Sequence, residues 1–236
     1  MRRAALTAVA LACCGGLAAP TASAKAPVVR QLVAFKSGAT LERKVRARGL
    51  NVKVGRRRCA VATATPLAAL VRSKPGAIGL RDFGSCSRRA RDSGQLFVRS
   101  IRKYRNRGLD GWVYKVGRKT ATAGAADPSG PFGSGRLRSG ARVRWFYGRL
   151  RGGSFQRTLE LTAKQVGTGT VAVRVRGYDD DGRGVAIEGA DVFTSGASAV
   201  TDKSGAALLR PPPGTYVVRA SKRGLIPSFG ERVTVS

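Results

Sequence analysis

Gly111-Trp112-Val113-Tyr114-Lys115-Val116-Gly117 and, after a long Gly/Pro loop, Arg142-Val143-Arg144-Trp145-Phe146-Tyr147 hold both tryptophans of the chain. Period-two reading places Trp112, Tyr114 and Val116 on one face of a strand, and Val143, Trp145 and Tyr147 on one face of another. Together they make one aromatic sheet face. Lys115, Arg142 and Arg144 point the opposite way and make a basic face. The aromatic face has two readings. It is either the core of a small domain packed against a helix, or a platform for a flat or sugar-like ligand with arginines stacking at its edge. On the second reading Trp112, Tyr114, Trp145 and Tyr147 bind the ligand.

The start of the chain reads as an export signal. Arg2 and Arg3 form a positive region, Ala4 to Leu17 an apolar one, and Ala22-Ser23-Ala24 a small-residue cleavage site, so the mature chain is expected to begin at Lys25. No later segment approaches twenty apolar residues. A product that is secreted, extracellular or cell-wall-associated is therefore expected. Lipid anchoring through Cys13 or Cys14 is the alternative, but the residues before them suit lipoprotein processing poorly. The paired arginines also lack the flanking pattern of a twin-arginine signal. Cleavage would leave Cys59 and Cys86, an even pair in an oxidising compartment, from which a disulfide is expected. A reactive thiol would need a base, and the chain has no histidine.

The formal net charge is +31, and it is unevenly spread. Residues 25–164 carry 33 Lys and Arg against 6 Asp and Glu, whereas residues 165–236 carry 9 against 7. Arginine in excess over lysine, with abundant Ala, Gly and Val, is also what a GC-rich genome produces through codon usage alone. The functional reading is attraction to an anionic surface outside the cell: phospholipid head groups, phosphate-bearing wall polymers or extracellular polysaccharide. Nucleic acid suits the charge but not the compartment.

Two units follow the signal, over residues 25–162 and 163–236. In the first, Thr65 caps a helix beginning at Pro66, with Leu67, Leu70 and Val71 at helical spacing and Lys74-Pro75-Gly76 as its stop. Strands are expected at Val28 to Phe35, Arg57 to Thr63, Ala77 to Phe83, Leu96 to Ile101, Gly111 to Val116 and Ala141 to Tyr147. One helix against a mixed sheet is an α+β pattern. The second unit is all-β. Val171-Ala172-Val173-Arg174-Val175 alternates, and turns fall at Asp179-Asp180-Asp181-Gly182, Thr201-Asp202-Lys203-Ser204-Gly205 and Pro211-Pro212-Pro213-Gly214.

The helix start Thr65-Pro66-Leu67-Ala68-Ala69-Leu70 and the two aromatic strands resemble the β-grasp-like domain at the C-terminus of transcobalamin-type proteins, the DUF4430 family. That resemblance covers roughly residues 28 to 150. The family's Asn-Gly after the first aromatic strand and Gly-Asp before the second are missing here. The turns of the second unit resemble the carboxypeptidase regulatory-like, transthyretin-like β-sandwich, a non-catalytic module of secreted bacterial proteins. The resemblances imply an α+β β-grasp-like domain with one main helix, followed by an all-β sandwich domain. They also admit a corrinoid-like or other hydrophobic small ligand.

Other constellations are weaker. Asp179, Asp180 and Asp181 invite a Ca²⁺ reading, but their spacing is not that of an EF-hand loop and a solvated turn is the simpler account, so no metal ligands are assigned. The proline-stiffened loop Gly124 to Gly140 is long enough to carry function, and Phe132 at its tip is assigned a partner contact. Without histidine, and without a nucleophile elbow at Gly152-Gly153-Ser154-Phe155, no catalytic residues and no cofactor are assigned. The expectation is a secreted, non-catalytic surface protein whose basic domain recognises an anionic cell-envelope polymer or phospholipid surface. A small-ligand carrier and a protein–protein interaction module are its alternatives.

Overall fold

The structure is a computed structural model that describes residues 25–236. The expected signal, with Cys13 and Cys14, lies outside the described residues. The chain begins with a hairpin, β1 (Val28–Ala34) and β2 (Thr40–Arg46), turned at Gly38 with φ of +87°. A second hairpin, β3 (Leu50–Val54) and β4 (Arg57–Val61), leads to helix α1 (Pro66–Arg72). Thr65 caps α1 by accepting a 3.3 Å hydrogen bond from the Ala68 amide, and Pro66 occupies the first turn. Strands β5 (Ile78–Asp82), β6 (Leu96–Ile101) and β7 (Tyr104–Arg105) follow, then β8 (Gly111–Val116), β9 (Lys119–Thr120) and β10 (Arg142–Gly148).

These strands form a five-stranded sheet in the order β2-β1-β10-β8-β9, flanked by the β3-β4 hairpin and a β5-β6-β7 sheet. β1 and β10 run parallel, with Val33 opposite Trp145, and β8 and β10 run antiparallel, with Tyr114 opposite Trp145. The aromatic face therefore lies in the middle of the sheet. It packs on the buried side of α1, where Leu67, Ala68, Ala69 and Leu70 meet Val29, Val33, Val143 and Trp145 in one core. The disulfide between Cys59 and Cys86 ties β4 to the segment after β5 within this core.

The second unit contains β11 (Thr158–Gly167), β12 (Thr170–Tyr178), β13 (Gly184–Ala186), β14 (Asp191–Thr194), β15 (Ala197–Val200), β16 (Ala206–Leu209), β17 (Gly214–Ser221) and β18 (Glu231–Val235). Two four-stranded sheets result: β11-β12-β13 with β16 on β12, and β15-β14-β17-β18. Alternate residues Leu159, Leu161, Val171, Val173 and Val175 of one sheet meet Val192, Val218, Ala220, Val233 and Val235 of the other, as in a β-sandwich. β11 spans the expected boundary at 162/163 and pairs along its length with β12, so its first residues belong with the sandwich.

The expected α+β class is corrected. Strand makes up 49% of the described residues and helix 5%, which places the protein in a β-sandwich-like, mostly β class. The helix foreseen at Thr65-Pro66 is a single seven-residue element, and β2 and β3 were not foreseen as strands. β2 reads Thr-Leu-Glu-Arg-Lys-Val-Arg, an edge strand whose charges hide its periodicity and whose pairing comes from the hairpin with β1. Among the described residues no helix is long and apolar enough to cross a membrane.

The two units are joined through the face of the five-stranded sheet opposite α1. Ala34 and Phe146 pack against Ile226, with Val113 and Phe155 alongside. Phe229, 1% exposed, enters a ring of guanidinium groups, those of Arg30, Arg142 and Arg144 lying 5.2, 5.6 and 4.9 Å from its ring centre. Carboxylates from both units pair with two of these three arginines. Arg30 donates to Glu42 at 2.6 Å and to Glu231 at 3.2 Å, Arg142 donates to Glu231 at 2.7 Å, and Arg219 donates to Glu42 at 2.7 Å.

Two outcomes follow for stability. Reducing the Cys59–Cys86 disulfide, which spans 27 residues, lowers unfolding free energy by about 3–4 kcal/mol in denaturant titrations of oxidised and reduced protein. Phe229→Ala costs about 3–5 kcal/mol, and calorimetry resolves two transitions in the variant where the parent shows one.

Candidate functional site

Along β12 the valines 171, 173 and 175 face the sandwich core, so Arg174, Arg176 and Tyr178 face outward. Glu160 and Thr162 of β11 stand opposite Arg176 and Arg174 on the same outer face. The first unit covers one end of this face. Arg118, in the β8–β9 turn, lies 4.5 Å over the Tyr178 ring and donates to Glu160 at 3.0 Å. That hydrogen bond raises the Arg118 pKa further above its ordinary value. Arg142 at the start of β10, with Glu231 and Arg232 of β18, closes the other wall.

The result is a cleft of about 840 Å³ between the two units. Six basic side chains, those of Arg118, Lys119, Arg142, Arg174, Arg176 and Arg232, line it against two acidic ones, Glu160 and Glu231. Both carboxylates already pair with arginines, Glu160 with Arg118 and Glu231 with Arg142 and Arg30. Lys119, Arg174, Arg176 and Arg232 have no carboxylate within salt-bridge distance among the described residues. A concave site with several unneutralised cations attracts anions, and its low-dielectric walls strengthen the field inside it.

The basic face read from β8 and β10 is not free. Lys115 and Arg144 are fully buried because the second unit packs on them. Lys115 Nζ donates to the carbonyls of Tyr178 at 3.2 Å and Asp179 at 2.7 Å, and lies 3.4 Å from Asp180. Burial pulls its pKa below the lysine value, and Asp180 opposes that only in part. Arg144 donates to the Leu159 carbonyl at 2.9 Å, and burial pushes its pKa down to about 10. The acidic turn is likewise structural. Asp180 accepts from Thr120 at 2.7 Å and from the Phe155 amide at 2.9 Å, while Asp179 accepts from the Arg183 amide at 2.8 Å. Among the described residues no group of three or more His, Cys, Asp or Glu is placed to hold a metal.

Trp112, Tyr114, Trp145 and Tyr147 are all buried in the core beneath α1. They do not form an open platform. Trp112, Tyr114 and Trp145 meet at one small cavity, whereas Tyr147 borders another with Lys36 and Lys103. Phe132, 37% exposed, lines neither of them. Sequence reading did not single out Arg174, Arg176 or Arg232. Their outward position was legible from the valine alternation, but their meeting with Arg118 and Arg142 is tertiary.

Comparison of the chain with family models, curated proteins and solved structures finds no match.

The junction makes the protein acid-sensitive. Burial alone would raise Glu42 and Asp180. For Glu42, hydrogen bonds from Arg30, Gly230 and Arg219 hold the carboxylate below its ordinary value, and for Asp180 the Phe155 amide, Thr120 and Lys115 do the same. Each contributes stability that is present above the ordinary carboxylate range and is lost as pH falls through the depressed value. In thermal unfolding followed against pH, Asp180→Asn lowers stability at neutral pH by about 1–3 kcal/mol and flattens the acid limb of the curve.

Proposed function

We propose that the protein is an exported, non-catalytic anion-binding protein that holds a polyanionic component of the cell envelope in the cleft between its two units. The observation that carries this reading is the cleft lining, in which both carboxylates are already paired and four cations are left without one. Attraction to anions then has a place, rather than being spread over a molecule whose total charge is +31. Guanidinium groups suit phosphate and sulfate because their forked N–H donors match the geometry of those oxygens. The disulfide suits an oxidising compartment.

Binding of inorganic polyphosphate at about 0.15 M salt separates a cleft from diffuse charge. Arg174→Glu, Arg176→Glu and Arg232→Glu together weaken binding by at least about tenfold. Arg56→Glu, Arg58→Glu and Arg88→Glu, all exposed on the first unit, change net charge equally and weaken it much less. Equal losses in the two triple variants would contradict a cleft.

A further inference from the structure

The β5–β6 hairpin has one covered face and one open face. Leu80, Leu96 and Val98 point into the core of the first unit. Arg81, Phe97 and Arg99 alternate with them and are exposed, and Arg81 stands directly opposite Phe97 in the pairing register. Phe83, the first residue after β5, lies beside them. It is 58% exposed and Phe97 is 42% exposed. The two rings meet edge to face with centres 5.8 Å apart, and the Arg81 guanidinium lies 4.5 Å from the centre of the Phe83 ring.

This face carries positive charge with nothing to neutralise it. Arg81 and Arg99 have no carboxylate within salt-bridge distance among the described residues. Asp82 is next to both Arg81 and Phe83 in sequence, but its side chain is buried, lies 3.6 Å from Arg57, and accepts from the amides of Gly84 at 3.1 Å and Cys86 at 2.9 Å. Those two hydrogen bonds and the Cys59–Cys86 disulfide hold the segment that follows Phe83. Arg88 and Arg89, exposed in that same segment, add to the positive field. The phenylalanines are therefore presented on a pre-ordered part of the chain, which keeps the entropic cost of docking low.

Two large apolar side chains in contact, standing in water among unpaired arginines, mark a surface for a partner that is anionic and apolar at once. A second copy of the chain does not meet that description. Each copy has a formal net charge of +31, and this face has no exposed carboxylate to set against the arginines of its twin. An anionic bilayer meets both requirements, since its phosphates accept from the guanidinium forks while the phenyl rings pass between head groups to the acyl boundary. We propose that the β5–β6 face docks the protein on an anionic phospholipid surface, with Phe83 and Phe97 inserted and Arg81 and Arg99 on the phosphates. The arginine cleft is not needed for this docking and remains available to a polyanion.

The test is co-sedimentation of the full mature chain with vesicles of phosphatidylcholine, alone or with about one third phosphatidylglycerol, at about 0.15 M salt. Binding is expected only to the anionic vesicles. Phe83→Ser together with Phe97→Ser leaves net charge unchanged and is expected to weaken it at least about tenfold. Val200→Ser with Leu208→Ser, at positions 62% and 55% exposed on the second unit, is expected to leave it as it was. The serine pair at 83 and 97 is expected to act equally when Arg174, Arg176 and Arg232 are all changed to Glu. In Phe97→Trp the added fluorescence is expected to be quenched by lipids brominated in the acyl chain, while the native tryptophans, both buried, are not. Vesicle binding undiminished by the serine pair, an equal loss from the pair on the second unit, or no quenching of vesicle-bound Phe97→Trp would each overturn the proposal. Binding to poly-glutamate that depends on Phe83 and Phe97 while vesicles are ignored would overturn it in favour of an acidic polypeptide.

Discussion

The junction around Phe229 is the constraint on which the rest of the structure depends. A phenyl ring from the second unit sits among three arginines of the first, and Glu42 and Glu231 pair with the two that are partly buried, Arg30 and Arg142. Without the carboxylates the guanidinium groups would repel one another and keep their water. Without the ring they would enclose a void. The electrostatic and apolar parts are therefore interdependent, as expected where charges are taken out of water. Lys115 repeats the arrangement on a smaller scale at the other end of the same face, held by two carbonyls and Asp180.

Joining the units in this way redistributes the charge that is available to a partner. Arg144 and Lys115 are used in holding the protein together, although the sequence alone presents them, with Arg142, as a basic face. What remains concentrated is the rim where the β8–β9 turn, the start of β10 and the outer face of β11 and β12 converge. The second unit, nearly neutral in sequence, contributes Arg174, Arg176 and Arg232 to that rim. Anion recognition on this account belongs to the pair of units and not to the basic one by itself.

Local patterns in the sequence carried much of the architecture. Thr65 and Pro66 located α1, strict alternation placed Trp112, Tyr114, Trp145 and Tyr147 on one face, and Cys59 and Cys86 were the pair that the expected cleavage would leave. β3 was also within reach, since Leu50, Val52 and Val54 alternate with Asn51 and Lys53. Larger-scale features were not. The parallel pairing of β1 with β10 joins segments more than a hundred residues apart, and nothing local records it. The burial of Lys115 and Arg144 ran against the usual meaning of a basic strand face, because the covering surface lies in another unit. The candidate cleft was illegible for the same reason, since its arginines come from four separate stretches of the chain. The α+β class does not hold because the one convincing helix signal marks an element of only seven residues, too short to make a layer.

The central claim is that the two units together build one anion site. It is tested most directly by recording the arginine Nε–Hε signals of the intact protein during titration with polyphosphate. The account predicts saturable shifts confined to Arg118, Arg142, Arg174, Arg176 and Arg232, with the exposed arginines of the β3–β4 hairpin unmoved. Shifts spread evenly over the arginines of the first unit, and absent from Arg174, Arg176 and Arg232, would contradict it.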